Sequence, residues 1–328
     1  MKKLFEILRI VVSIFLIGIL LYLVRNELHQ ILITLKNTSL LVYTLCFFLS
    51  LSALLIISLR LKEIFRVLGI HLTFWNCTLL NFIGLFFNNF LPTSAGGDLL
   101  KIYYASQGSG RKGGAIAAVL TDRSFGLFTI FLLASVALLL EKNVKNSGVL
   151  TMVTWGIFGL FLLLTFLVLN KDCSSKIKGI LEGVFKGESK MKSFFEAISQ
   201  TIERIRKAKI FIVYMLFLSL IIQFLCIGII FLLSKSLSLN IAFSVLIVIV
   251  PIIFVVSMFP SINGLGIREG AYVYFLGEMV GRGNAFALSL LFLSLTLLLS
   301  LIGGLVYAWV NKNGYFKKLS LYKATYIK

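Results

Sequence analysis

Residues 241–280 read IAFSVLIVIVPIIFVVSMFPSINGLGIREGAYVYFLGEMV. An apolar run, Ile241–Phe259, stops at Pro260-Ser261-Ile262-Asn263-Gly264-Leu265-Gly266, and a second helical stretch, Ile267–Val280, follows at once. Proline removes a backbone donor and clashes with the preceding turn, and clustered glycines carry no helical bias, so a helix ends there. A long apolar helix, a break and a half-length helix together read as a hairpin that enters a membrane and turns back. The pattern occurs twice. Leu72–Leu91 runs into Pro92-Thr93-Ser94-Ala95-Gly96-Gly97-Asp98, and a short stretch, Leu99–Ser106, lies beyond it.

The whole chain supports a membrane setting. Of its 328 residues 59% are hydrophobic and 14% are charged, and the mean hydropathy is +1.00. Soluble domains run at about 45–50% apolar and about 25% charged. A soluble enzyme, a disordered chain and a secreted disulfide scaffold are therefore excluded. The four cysteines form no C-x-x-C, and the two histidines, His29 and His71, sit at segment edges. Neither a zinc site nor a disulfide frame is supported. The stretch Gly108–Gly114 lacks the spacing of a phosphate-binding loop. No catalytic residue, metal or cofactor is expected.

A transmembrane helix needs about 20 apolar residues. Six segments qualify: Leu4–Val24, Ser39–Leu59, Ala115–Leu140, Leu150–Leu169, Ile210–Leu233 and Ala285–Val310. Basic residues decide how they are threaded, because cytoplasmic loops collect Lys and Arg. The loop 170–209 holds ten of them, and the tail 311–328 holds five lysines. If both broken segments crossed fully, with the N-terminus inside, the loop of ten would lie outside. As re-entrant hairpins they place 23 of the 32 basic residues inside and 7 outside. The expected fold is an all-α polytopic membrane protein with six full spans, two hairpins and both termini in the cytoplasm of a cell with this plasma-membrane protein. The net charge of +19 then belongs to the membrane surface and not to nucleic acid.

The two halves, about 1–140 and 150–310, each read as span, span, hairpin, span, and they start from opposite sides. That is an inverted-topology repeat, a layout shared by many secondary transporters. Together they form one transmembrane domain, 1–310, followed by a basic tail, 311–328. Pro92 and Pro260 each have a glycine four positions on, Gly96 and Gly264, and Lys101 and Glu269 each fall nine positions after their proline. In the loop 170–209, Met191, Phe194, Phe195, Ile198, Ile202 and Ile205 recur at helical spacing among basic residues. This is a basic amphipathic helix expected to lie on inner-leaflet lipid.

Charges inside a membrane are costly and concentrate where function is. Asp122 and Arg123 lie roughly 12 Å into their span at the helical rise of 1.5 Å per residue. As neighbours in sequence they do not face each other. The hairpins offer partners: Asp98 and Lys101 from the first, Arg268 and Glu269 from the second. These ion pairs could simply pin the hairpins to the bundle. They could instead form a headgroup site. A helix N-terminus attracts anions, glycines let backbone N–H groups approach a ligand, and Arg offers a planar fork to phosphate. In that case Arg268, Arg123 and Lys101, with Gly96, Gly97, Gly264 and Gly266, bind an anionic phospholipid or polyprenyl-phosphate headgroup. Asp122, Glu269 and Asp98 supply counter-charge or coupling.

The segments Asn89–Asp98 with Lys101, Asp122-Arg123, and Pro260–Gly270 with its G-L-G-I-R-E-G resemble the signature segments of the lysylphosphatidylglycerol synthase transmembrane-region family. The resemblance covers essentially the whole chain. It implies flippase-like movement of an aminoacylated, glycosylated or isoprenoid lipid between leaflets. Some members carry a soluble aminoacyl-tRNA-dependent transferase domain. This chain ends 18 residues after its last expected span, which leaves no room for one. Two alternatives remain: a phosphatidylglycerol lysyltransferase-type enzyme or its membrane subunit, and a scaffold that docks a separate lipid-modifying transferase through the basic loop.

Overall fold

The computed structural model describes residues 38–90, 96–109, 112–140, 207–258 and 264–316, with isolated positions at 18, 22, 25, 36, within 152–163, and at 201 and 203–205. The expected spans Leu4–Val24 and Leu150–Leu169, the proline-bearing tips 91–95 and 259–263, and most of the loop 170–209 lie outside them.

Among the described residues eight helices follow in order: α1 Leu40–Val67, α2 Phe74–Phe90, α3 Gly96–Ser109, α4 Lys112–Leu140, α5 Lys209–Ser236, α6 Phe243–Val256, α7 Ile267–Val280 and α8 Arg282–Asn313. Among the described residues there is no strand. Four of these described helices, α1, α4, α5 and α8, are long and apolar enough to cross a membrane. The chain is an all-α polytopic membrane protein.

The helix pairs that touch come in matched sets. Helix α2 packs on α8 as α6 packs on α4, and α3 packs on α4 as α7 packs on α8. Within each half the first helix packs on the second and the second on the third. Helices α1 and α5 are each other's counterpart and pack on one another. They run antiparallel: Cys46 and Arg60 of α1 reach Ile229 and Ser219 of α5, so ascending α1 descends α5.

Local sequence explains the breaks. Gly264 and Gly266 have φ of 78° and 83°, a left-handed region that costs a residue with a Cβ about 1–2 kcal/mol. Gly281, with φ 87°, turns α7 directly into α8. Closeness of backbones sets the rest. A Cβ on Gly303 of α8 would fall on the carbonyl oxygen of Phe82 in α2, and one on Gly304 would meet the Phe86 ring. The sequence Gly303-Gly304 is thus where α2 docks, as close helix approach requires small residues. The larger apolar core joins α5, α6, α7 and α8 through Ile230, Leu233, Val250, Ile253, Tyr272 and Leu295. A second joins α1, α2, α3 and α5 through Leu61, Phe65, Leu80, Ile83, Ala105 and Met215.

Several boundaries differ from the sequence expectation, and two of them bear on the site. Helix α1 does not stop at Leu59 but continues to Val67, so Arg60, Lys62 and Arg66 are helical and not loop residues. Leu61, Ile64 and Phe65 are buried and keep the apolar period going past the charge. Helix α3 begins at Gly96 and not at Leu99, so the glycines belong to its first turn. Asp98 and Glu269 are then both the third residue of their helices.

Candidate functional site

Helix α3 starts against α2. A Cβ on Gly97 would fall on the carbonyl oxygen of Gly84, so the two backbones touch there. The Gly97 N–H donates to Asn88 Oδ1 at 2.9 Å. The stem of Lys101 lies across Gly84, in the space a Cβ would need. From this fixed start the first turn of α3 aims Asp98 at α4. Its Oδ2 accepts from Arg123 Nε, and its Oδ1 lies 3.8 Å from Lys101 Nζ. The Arg123 side chain is 43% exposed, whereas those of Asp98 and Lys101 are mostly covered.

A second pair adjoins the first. Arg60 Nε donates to Asp122 Oδ1 at 2.7 Å, and Arg60 Nη1 donates to Ser219 Oγ at 2.8 Å. Both charged groups are buried. One guanidinium thus ties α1, α4 and α5 together, and it rests over Gly126 of α4. Asp98, Asp122, Arg123 and Arg60 all lie near enough to act on the Lys101 charge. Among the described residues the cluster holds three bases and two acids, a formal excess of one positive charge.

The second hairpin closes on itself. Arg268 Nε and Nη2 donate to Glu269 Oε1 at 3.2 and 2.9 Å. Glu269 Oε2 accepts the Gly266 N–H at 2.6 Å, which caps α7. The Arg268 guanidinium also sits 5.7 Å over the Phe292 ring. The Gly264 carbonyl accepts the Arg268 N–H at 2.8 Å. Beneath the pair the Tyr272 side chain is fully buried, and its hydroxyl has no hydrogen-bond partner among the described residues.

The sequence-derived site residues therefore divide into two groups. Asp98, Lys101, Gly97 and Arg123 come together with Gly96 at the start of α3. Arg268, Glu269, Gly264 and Gly266 form a separate assembly at α7. Asp122 takes its partner from α1 and not from a hairpin. The N–H groups of Gly97 and Gly266, expected to face a ligand, are occupied by Asn88 and Glu269. Sequence reasoning missed Arg60, Ser219, Asn81 and Asn88. Arg60 carried a signal, since Leu61, Ile64, Phe65 and Leu68 keep helical spacing beyond it. At the end of the basic loop, Ile205 is buried and Arg204 reaches the Val67 carbonyl of α1 at 3.4 Å. That end of the segment lies against the protein.

A polytopic helical bundle with an ion cluster among its apolar helices defines a class of membrane protein. Within that class, the family described as the lysylphosphatidylglycerol synthase TM region matches residues 7–304, and the chain belongs to it. It is 30% identical over 169 residues to the UPF0104 membrane protein MJ1595 of Methanocaldococcus jannaschii, across 50% of this chain and 49% of that protein. The chain thus matches about half the length of that relative. No solved structure matches it.

Proposed function

We propose that the protein is a flippase-like translocase that carries an anionic lipid headgroup between leaflets while the apolar chains stay in lipid. The observation that carries this is the surplus positive charge at the start of α3, with the half-exposed Arg123 as its outermost member. An anion would complete the charge balance of Arg60, Lys101, Arg123, Asp98 and Asp122. Charged groups inside a membrane are costly, and they characteristically mark substrate or ion paths. The matched helix contacts and antiparallel α1 and α5 support an inverted repeat. In it α2–α3 and α6–α7 are re-entrant hairpins, in a plasma-membrane protein with both termini cytoplasmic. The self-neutralised Arg268–Glu269 pair makes the second hairpin the scaffold, and the first hairpin the binding side.

The purified chain, reconstituted in vesicles with acyl-labelled fluorescent phosphatidylglycerol, should expose inner-leaflet label to an external quencher. Arg123→Ala should slow this about tenfold, the worth of one charge-assisted hydrogen bond, and Arg123→Lys should retain part of the rate. Because the Arg123 side chain is half-exposed, size-exclusion behaviour should not change. Full activity in Arg123→Ala would remove the cluster from the transport path.

A further inference from the structure

Helix α2 carries Asn81, Gly84 and Asn88 on one face, at spacings of three and four residues. Gly84 supports Lys101, and Asn88 holds the start of α3. Asn81 is 4% exposed. Its Nδ2 donates to Ser58 Oγ at 3.0 Å, and Ser58 Oγ in turn donates to the Leu54 carbonyl at 2.8 Å. The single Ser58 hydroxyl proton is thereby used, so Ser58 must accept from Asn81. This fixes the amide orientation. Asn81 Oδ1 is consequently an acceptor, and among the described residues it has no partner. Buried polar atoms are nearly always satisfied, and an orphan calls for an account.

We propose that Asn81 determines headgroup specificity: its Oδ1 accepts a hydrogen bond from a hydroxyl or ammonium group on a lipid whose phosphate is held by Lys101 and Arg123. This rests on the headgroup site proposed above. The chemistry favours it. A site with a fixed buried acceptor rejects an analogue that lacks the donor, because the acceptor then stays unpaired. Asn81 lies about 10 Å along α2 from its first residue at 1.5 Å per residue. It shares the face on which Lys101 lies, so phosphate and donor would be read from one side of the hairpin. No other buried side chain on α2 presents an unpaired acceptor on that face among the described residues.

The experiment compares two acyl-labelled lipids of equal charge in vesicles holding the full chain. Phosphatidylglycerol carries headgroup hydroxyls, and phosphatidylmethanol carries none. The wild type should move phosphatidylglycerol about tenfold faster, the ratio one hydrogen bond gives. Asn81→Ala and Asn81→Leu should bring the two rates together by slowing phosphatidylglycerol alone. A wild-type ratio near one overturns the role of Asn81 and leaves the translocase standing. A wild-type preference that survives in either variant also overturns it. If neither variant folds, Asn81→Ser takes their place and must bring the two rates together in the same way; a preference that survives in it overturns the role of Asn81. Movement of neither lipid by the wild type overturns the translocase and this inference with it.

Discussion

Helices α3 and α7 begin alike, each with an acid as its third residue, and they use that acid in opposite ways. Glu269 turns back to its own helix, accepting from Gly266 and Arg268. Asp98 is one methylene shorter and projects to α4, where it meets Arg123, while Asn88 of α2 accepts the Gly97 N–H. The partner helices differ to match. Helix α6 buries Leu246, Ile249, Val250 and Ile253 around Pro251, whereas α2 buries Asn76, Thr78 and Asn81. One backbone plan therefore carries a closed, neutral hairpin and an open, charged one.

The largest expected effect tests whether the first half depends on charges shared between helices. Arg60→Ala leaves Asp122 buried and unpaired, and breaking such a pair costs about 3–5 kcal/mol. The thermal midpoint in detergent should fall sharply. Arg268→Ala should fall less, because Glu269 keeps the Gly266 N–H and the positive end of α7. The double change Arg60→Met with Asp122→Leu should recover most of the loss, since apolar residues of similar volume replace buried pairs well. Equal losses in the two single variants would erase the contrast between the hairpins.

Next in size are the hairpin glycines, which the sequence presents as equivalents and the structure separates. Gly97 is small because Gly84 lies against it, so Gly97→Ala should cost about 1–3 kcal/mol through overpacking. Gly264 is required for its positive φ, so Gly264→Ala should cost about 1–2 kcal/mol through backbone strain. Gly228 meets nothing within 4 Å. Gly228→Ala should therefore gain about 0.5–1 kcal/mol, as for any open helix interior. Thermal midpoints of the three variants check this order.

Much of the fold was legible because its signals are local. Apolar length marked α4, α5 and α8 as spans, and proline with glycine marked where α2 gives way to α3 and α6 to α7. The end of α1 was not legible by the same rule. Arg60 looks like the start of a loop until its buried partner is known, and Asp122 lies 62 residues away. The candidate site was half legible. Asp98, Lys101, Arg123, Arg268 and Glu269 stood out as charges in apolar surroundings. Their pairing did not, because which acid meets which base depends on helix register across the bundle. Asn81 and Asn88 gave no signal at all, since an amide in an apolar helix acquires meaning only from the atom it faces.

The smallest effect probes the closed half from within. Among the described residues the Tyr272 hydroxyl is buried without a hydrogen-bond partner, beside a pair whose donors and acceptors serve each other. An unmade buried hydrogen bond costs about 1–3 kcal/mol. Tyr272→Phe keeps the ring and its packing, including contacts to the core of α5, α6 and α8, and removes only the orphan oxygen. The thermal midpoint should stay level or rise by an amount worth up to about 1 kcal/mol, with phosphatidylglycerol movement unchanged. A fall in stability would mean that the hydroxyl is satisfied in the membrane, through water or a bound group reaching Arg268 and Glu269. The second hairpin would then be open to ligand as well, and the division between a binding half and a scaffolding half would fail.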